Sequence, residues 1–173
     1  MKRTLRLHTR FLLPAFCLLA ACGFQPIYGA QDKTGTPVAG QLNQIAIDNI
    51  PERSGQILRN ELIDRMYGQG RPRQPLYRLE VKLRATQEDL GLRANATSTR
   101  TLLNMNADYI LRATQGKELL RGTAHSITNF NRLSTQYGNV SALDAATERT
   151  LREVSEQIVN RLALYFAETA TAN

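Results

Sequence analysis

The stretch Tyr77-Arg78-Leu79-Glu80-Val81-Lys82-Leu83-Arg84 alternates without a break, apolar on one side and polar or charged on the other. Successive side chains of an extended chain point to opposite faces, so this is a strand with one face toward a core and one toward water. Residues 97–112 repeat the pattern. There Leu103, Met105, Ala107, Tyr109 and Leu111 share one face against Asn104, Asn106, Asp108 and Arg112, with Ile110 out of step. Leu90, Leu92 and Ala94 continue the alternation between the two runs, which predicts one long hairpin turning near residues 93–96. Gln115-Gly116 makes a tighter turn into a third strand over 117–130. The three strands should form an antiparallel meander whose far face is polar.

The remaining elements follow outward from that meander. Over 51–67, Leu58, Leu62, Ile63 and Met66 recur at helical spacing among Arg53, Arg59, Glu61, Asp64 and Arg65, and Gly68-Gln69-Gly70 ends the helix. Gln41–Asp48, with Ile45 and Ile47 on one face, suggests a short strand, broken by Asn49-Ile50-Pro51. Toward the C-terminus, Val140, Leu143, Thr147, Leu151, Val154, Ile158, Leu162 and Tyr165 follow steps of three and four, an apolar stripe of about seven turns. Ser141 and Asp144 at its start resemble a capping box. The expected fold class is α+β, with two helices packed on one face of a four-stranded, mostly antiparallel sheet.

The N-terminus reads differently. Lys2, Arg3, Arg6 and Arg10 precede the apolar run Phe11–Ala21, with no acidic residue, the layout of a signal peptide. The run is too short to span a bilayer, which takes about 20 residues, and Pro14 interrupts it. It closes in Leu19-Ala20-Ala21-Cys22, which looks like a bacterial lipobox, so Cys22 is the expected lipidated first residue of the mature chain. Gly23 rather than Asp after the cysteine resembles the outer-membrane side of enterobacterial sorting rules. Residues 1–21 are therefore read as a lipoprotein signal peptide, 22–40 as lipidated N-terminus and tether, and 41–173 as one α+β domain.

The chain has 173 residues, 42% hydrophobic, with 22 Lys+Arg against 15 Asp+Glu. Removing 1–21 deletes four positive charges and no negative one, so the net charge falls from +7 to +3 and the basic character offers little support for a nucleic-acid partner. The mature part keeps Cys22 and His125 as its only cysteine and histidine, which excludes disulfides, a multi-cysteine metal site and a Cys/His dyad. His125 and Ser126 are strand neighbours facing opposite ways, and no phosphate-binding glycine loop is present, so neither an enzyme nor a cofactor is expected.

Cys22-Gly-Phe-Gln-Pro-Ile-Tyr-Gly29, the order strand, helix, three strands, helix, and Asn160-Arg-Leu-Ala-Leu-Tyr-Phe166 in the last helix together resemble the alphaproteobacterial type of the LPS-assembly lipoprotein family, LptE. The resemblance spans the whole chain. It implies a non-enzymatic outer-membrane lipoprotein whose domain faces the periplasm. It further implies that the domain plugs the lumen of the LPS translocon β-barrel (LptD-type), assists that barrel's assembly and contacts lipopolysaccharide. A free-standing periplasmic lipoprotein that binds a protein or peptidoglycan is the alternative.

Candidate contact residues rest on charge and position. Residues 65–112 hold nine Lys+Arg against four Asp+Glu, whereas the flanking parts are balanced or acidic. Arg93 and Arg100, near the hairpin turn, and Arg84 and Lys82, on its polar face, are candidates for lipid A phosphates, which an arginine fork holds through paired hydrogen bonds. The same residues also suit a merely solvated sheet face. Phe24, Ile27 and Tyr28, just past the lipid anchor, either meet the barrel wall or bilayer or pack on the domain's own sheet.

Overall fold

The computed structural model describes residues 38–68, 70–92, 98–132 and 135–172. Three helices and four strands follow in the order α1 (Val38–Leu42), β1 (Ile45–Ile47), α2 (Glu52–Met66), β2 (Tyr77–Leu92), β3 (Ser98–Ala113), β4 (Glu118–Asn131) and α3 (Gln136–Ala172). The strands form one sheet in sequence order, with β1 parallel to β2 and the other pairs antiparallel. A parallel pair needs a crossover, and α2 supplies it.

Register explains why the sheet has one dry face. Leu79 lies opposite Leu111, Val81 opposite Tyr109 and Leu83 opposite Ala107, while Ala107 in turn meets Ala124. A slip of one residue would turn all of these toward water. Leu79, Leu103, Met105, Ala107, Tyr109 and Leu111 are buried, as the alternation predicts, and α3 packs over the β3 and β4 part of this face, which includes Ala124 and Ser126. On α3 the buried residues are Leu151, Val154, Ile158 and Leu162, joined by Ala146, Thr150, Ser155, Val159, Ala163 and Phe166. That stripe is wider than the predicted one, since the helix meets both the sheet and α2.

Polar groups fasten α2 to its neighbours. Arg59 donates from Nε to the Asp48 carbonyl and from a terminal nitrogen to that of Ile47, both at 3.3 Å, and Tyr67 Oη donates to the Ile45 carbonyl at 2.6 Å. The short strand β1 is thus held through its backbone from the helix side. Arg65 Nε reaches Ser155 Oγ on α3 at 2.8 Å. At Gly55 a Cβ would stand 2.7 Å from Ile50 Cγ2 and 2.8 Å from the Ile50 carbonyl oxygen, so only glycine lets α2 start so close to that loop.

Three local expectations are corrected. Residues 41–48 are not one strand: Gln41 and Leu42 belong to α1, and only Ile45–Ile47 is extended. Val38 and Leu42, one helical turn apart, are both buried, so packing begins within the stretch read as a tether. The long helix starts at Gln136, before Ser141; Thr135 Oγ1 accepts from the Gly138 N–H at 3.2 Å, and Asp144 instead faces Arg53 at 3.8 Å. Val140 is half exposed because it lies on the helix's first turns, where the covering sheet face ends.

Gly122 on β4 is opposite the buried Tyr109, and a Cβ there would lie 2.6 Å from Tyr109 Cζ and collide with its Oη. The tyrosine ring fills the space that a side chain would occupy. Gly122→Ala is expected to destabilise the domain by about 1–3 kcal/mol, the usual effect of overpacking. A denaturant midpoint lowered at constant m value is the check.

Candidate functional site

Among the described residues no helix covers the sheet's second face, which carries the even-numbered residues of β2 and β3 and the odd-numbered ones of β4. Its charges are arranged in two groups. In mid-sheet, Lys82 lies opposite Asp108, which lies opposite Thr123. The Asp108 carboxylate accepts from Thr123 Oγ1 at 2.8 Å and from Arg84 at 2.6 Å. The Thr123 hydrogen bond first, and the Arg84 charge with it, hold the Asp108 carboxyl below the usual carboxylate range. Arg84 is therefore neutralised in place, with Lys82 directly across the strand from the same acid.

At the end near β1, Arg78 and Arg112 are direct cross-strand partners, an unfavourable like-charge pair by itself. Carboxylates offset it: Asp48 stands 3.5 Å from Arg78, and Glu80 and Glu118 stand 3.1 and 3.8 Å from Arg112. Glu118 also takes a bidentate pair of bonds from Arg121 at 2.9 and 2.7 Å, which lowers its pKa. The two arginines, with Ala46, Tyr77 and Gly116, line a cleft of about 360 Å³. These exposed pairs contribute little to stability. They matter because they set the charge pattern the open face presents.

The predicted candidates do not converge on one point. Arg100 is on the same open face but opposite Leu90 and Asn131, eight residues from Asp108, which is about 26 Å along a strand. Arg93, Cys22, Phe24, Ile27 and Tyr28 lie outside the described residues. Counting charge along the chain also overstates the local excess, because Asp48 and Glu118 come from other segments to meet Arg78 and Arg112.

A second feature lies on the helix-bearing side, at the end of the sheet away from β1. Gln87, Thr101, Phe130 and Arg132 of the sheet end, with Asn139, Val140 and Leu143 of α3, line a groove of about 180 Å³. Asp89 closes its sheet side, accepting from Thr101 Oγ1 at 2.7 Å and from Arg132 at 3.0 Å. Sequence reading placed Val140 and Leu143 in the core stripe and so missed this opening; the signal was that the stripe outruns the strands it packs on. His125 and Ser126 do face opposite ways. Ser126 is buried and bonds Glu153 at 2.5 Å, while His125 is exposed.

The fold and its surfaces define a compact α+β module with one helix-covered and one open sheet face. Similar architecture occurs in solved bacterial lipoproteins. A Caulobacter crescentus CB15 protein described as a candidate lipoprotein is 25% identical, with a TM-score of 0.62 over 76% of this chain and 96% of that one. The minor lipoprotein of Acinetobacter baumannii (14% identity, TM-score 0.53, 69% and 91% covered) shares the fold. So does the rare lipoprotein B of Shewanella oneidensis (10%, 0.51, 74% and 95%). No curated protein matches the chain. The lipopolysaccharide-assembly family model, LptE, matches residues 42–162, and this chain belongs to that family.

Proposed function

We propose that this protein is an outer-membrane lipoprotein, lipidated at Cys22, that plugs the LPS translocon barrel, assists its assembly and contacts lipopolysaccharide on its way into the outer membrane. The observation that carries the reading is the family match over residues 42–162, from the end of α1 through most of α3, which gives a general role in lipopolysaccharide assembly. The lipobox-like Leu19-Ala20-Ala21-Cys22 adds the anchor. The open, charge-patterned sheet face suits a surface that meets a polar barrel lumen. The test is co-purification after detergent extraction. A large outer-membrane barrel in stoichiometric amount supports the plug; a lipoprotein recovered alone supports a free-standing binder of protein or peptidoglycan.

Within this reading, Arg93, Arg100, Arg84 and Lys82 are the candidates for phosphate contact, and Arg84 would have to exchange its bond to Asp108 for the phosphate. The double change Arg93→Glu and Arg100→Glu is expected to weaken lipopolysaccharide binding about tenfold or more, since charge-assisted bonds to an anion contribute about 1.5–3 kcal/mol each. The melting curve should stay close to wild type, as surface substitutions usually change stability by less than about 0.5 kcal/mol. Affinity measured in moderate salt, with that melting control, decides; unchanged affinity in a folded double mutant returns both arginines to the solvated face.

A further inference from the structure

The three-stranded part of the sheet ends at the row Leu90–Arg100–Asn131. Among the described residues β2 and β3 continue past it only as a pair, to Leu92 opposite Ser98. A two-stranded ribbon is marginally stable on its own, so the root of this hairpin depends on what holds it from the side. Asp89 supplies that hold. It lies opposite Thr101 in the preceding row, and its carboxylate accepts from Thr101 Oγ1 at 2.7 Å and from Arg132, one residue past the end of β4, at 3.0 Å.

One carboxylate thus ties the two outer strands across the middle one, a span of two strand spacings, about 10 Å. Thr101 is buried, and a buried hydroxyl that loses its partner costs free energy, so the inner half of the tie is firm. Asp89 and Arg132 are each about half exposed, so the outer half contributes little to stability and can be cut in a folded domain. Neighbouring residues of a strand point to opposite faces. Asp89 and Thr101 are on the helix-bearing side, and Arg100, adjacent to Thr101, is on the open face. The tie therefore lies directly behind Arg100.

We infer that Asp89 is a positioning residue for lipopolysaccharide contact: by tying Thr101 to Arg132 it fixes the hairpin root, so that Arg100 meets a phosphate from a backbone already held in place. This rests on the proposed contact of Arg100 with lipopolysaccharide and names the group that makes the contact effective. A side chain on an ordered backbone loses less freedom on binding than one on a loose ribbon, and affinity rises accordingly. Charge alone predicts something else. An acid one row from the contact repels a phosphate and an arginine there attracts it, so removing Asp89 would tighten binding and removing Arg132 would weaken it.

The experiment measures binding of purified lipopolysaccharide to the full-length chain in detergent for wild type, Asp89→Asn and Arg132→Gln, each alone and combined with Arg100→Ala. Asparagine can still accept from Thr101 but lacks the charge that holds Arg132, so the two variants cut one tie from opposite ends with opposite changes in charge. Both should lower affinity about three- to tenfold, with a melting temperature within a few degrees of wild type. Neither should lower it further once Arg100 is alanine, because the effect passes through that residue. Should Asp89→Asn fail to fold, Arg132→Gln, which leaves the Thr101 bond in place, decides. Tighter binding by Asp89→Asn, unchanged affinity, or a loss that persists in the Arg100→Ala background overturns the inference while the contact reading stands. Wild type that binds no lipopolysaccharide, or Arg100→Ala that binds it as tightly as wild type, overturns both.

Discussion

Leu151→Asp is expected to leave no cooperative thermal transition and little soluble protein. Leu151 is fully buried midway along α3, on the side that packs against the sheet and α2. Truncating such a leucine costs about 2–5 kcal/mol in lost transfer and cavity terms. Burying a carboxylate that has no partner adds several more, or forces it to take up a proton. Typical domains have only about 5–15 kcal/mol in hand, so the sum consumes most or all of it. Leu151→Met, which conserves volume, should cost less than about 1.5 kcal/mol and serves as the control. Circular dichroism melting of both variants reads the difference. A Leu151→Asp chain as stable as wild type would mean that α3 does not dock through this stripe.

The same helix shows how far the amino-acid pattern reaches. Period-two alternation in β2 and β3 and the three-and-four stripe of α3 are strong signals because burial on one face requires them, and the buried residues are largely those the periodicities select. Short or weakly patterned elements were harder to read. α1 holds only two core residues, Val38 and Leu42, in a setting of Gly, Thr and Pro, so its helical face was masked by loop composition. The parallel pairing of β1 with β2 was not visible either, since a three-residue strand reveals nothing about its direction and only the α2 crossover sets it. The charged face was readable as a face but not as a pattern: Asp48 and Glu118 meet Arg78 and Arg112 only after folding. The Asp89 tie belongs to the same class, because Thr101 and Arg132 come to it only through strand pairing.

On the proposed reading, in which Cys22 carries the lipid, Cys22→Ser is expected to abolish stable anchoring in the outer membrane. A serine hydroxyl would not replace the thiol proposed to accept the diacylglyceryl group, and a chain that is not modified should not be cleaved before residue 22. Two or three acyl chains give firm anchoring, each buried methylene contributing about 0.8 kcal/mol, whereas one chain alone is marginal. Nothing else in the described residues replaces them, since none of their helices is long and apolar enough to cross a membrane. The mutated chain should therefore appear as a precursor or in the soluble fraction, without label from radioactive palmitate. Barrel binding alone could retain some mature-length protein, so membranes are washed with alkaline carbonate before fractionation to strip proteins held by contacts only. Loss of label with the domain's melting curve intact separates anchoring from folding. A cleaved, unlabelled chain that stays with the washed outer membrane would refute the lipobox reading of Leu19-Ala20-Ala21-Cys22 and leave Phe24, Ile27 and Tyr28 as the next residues to test for the attachment.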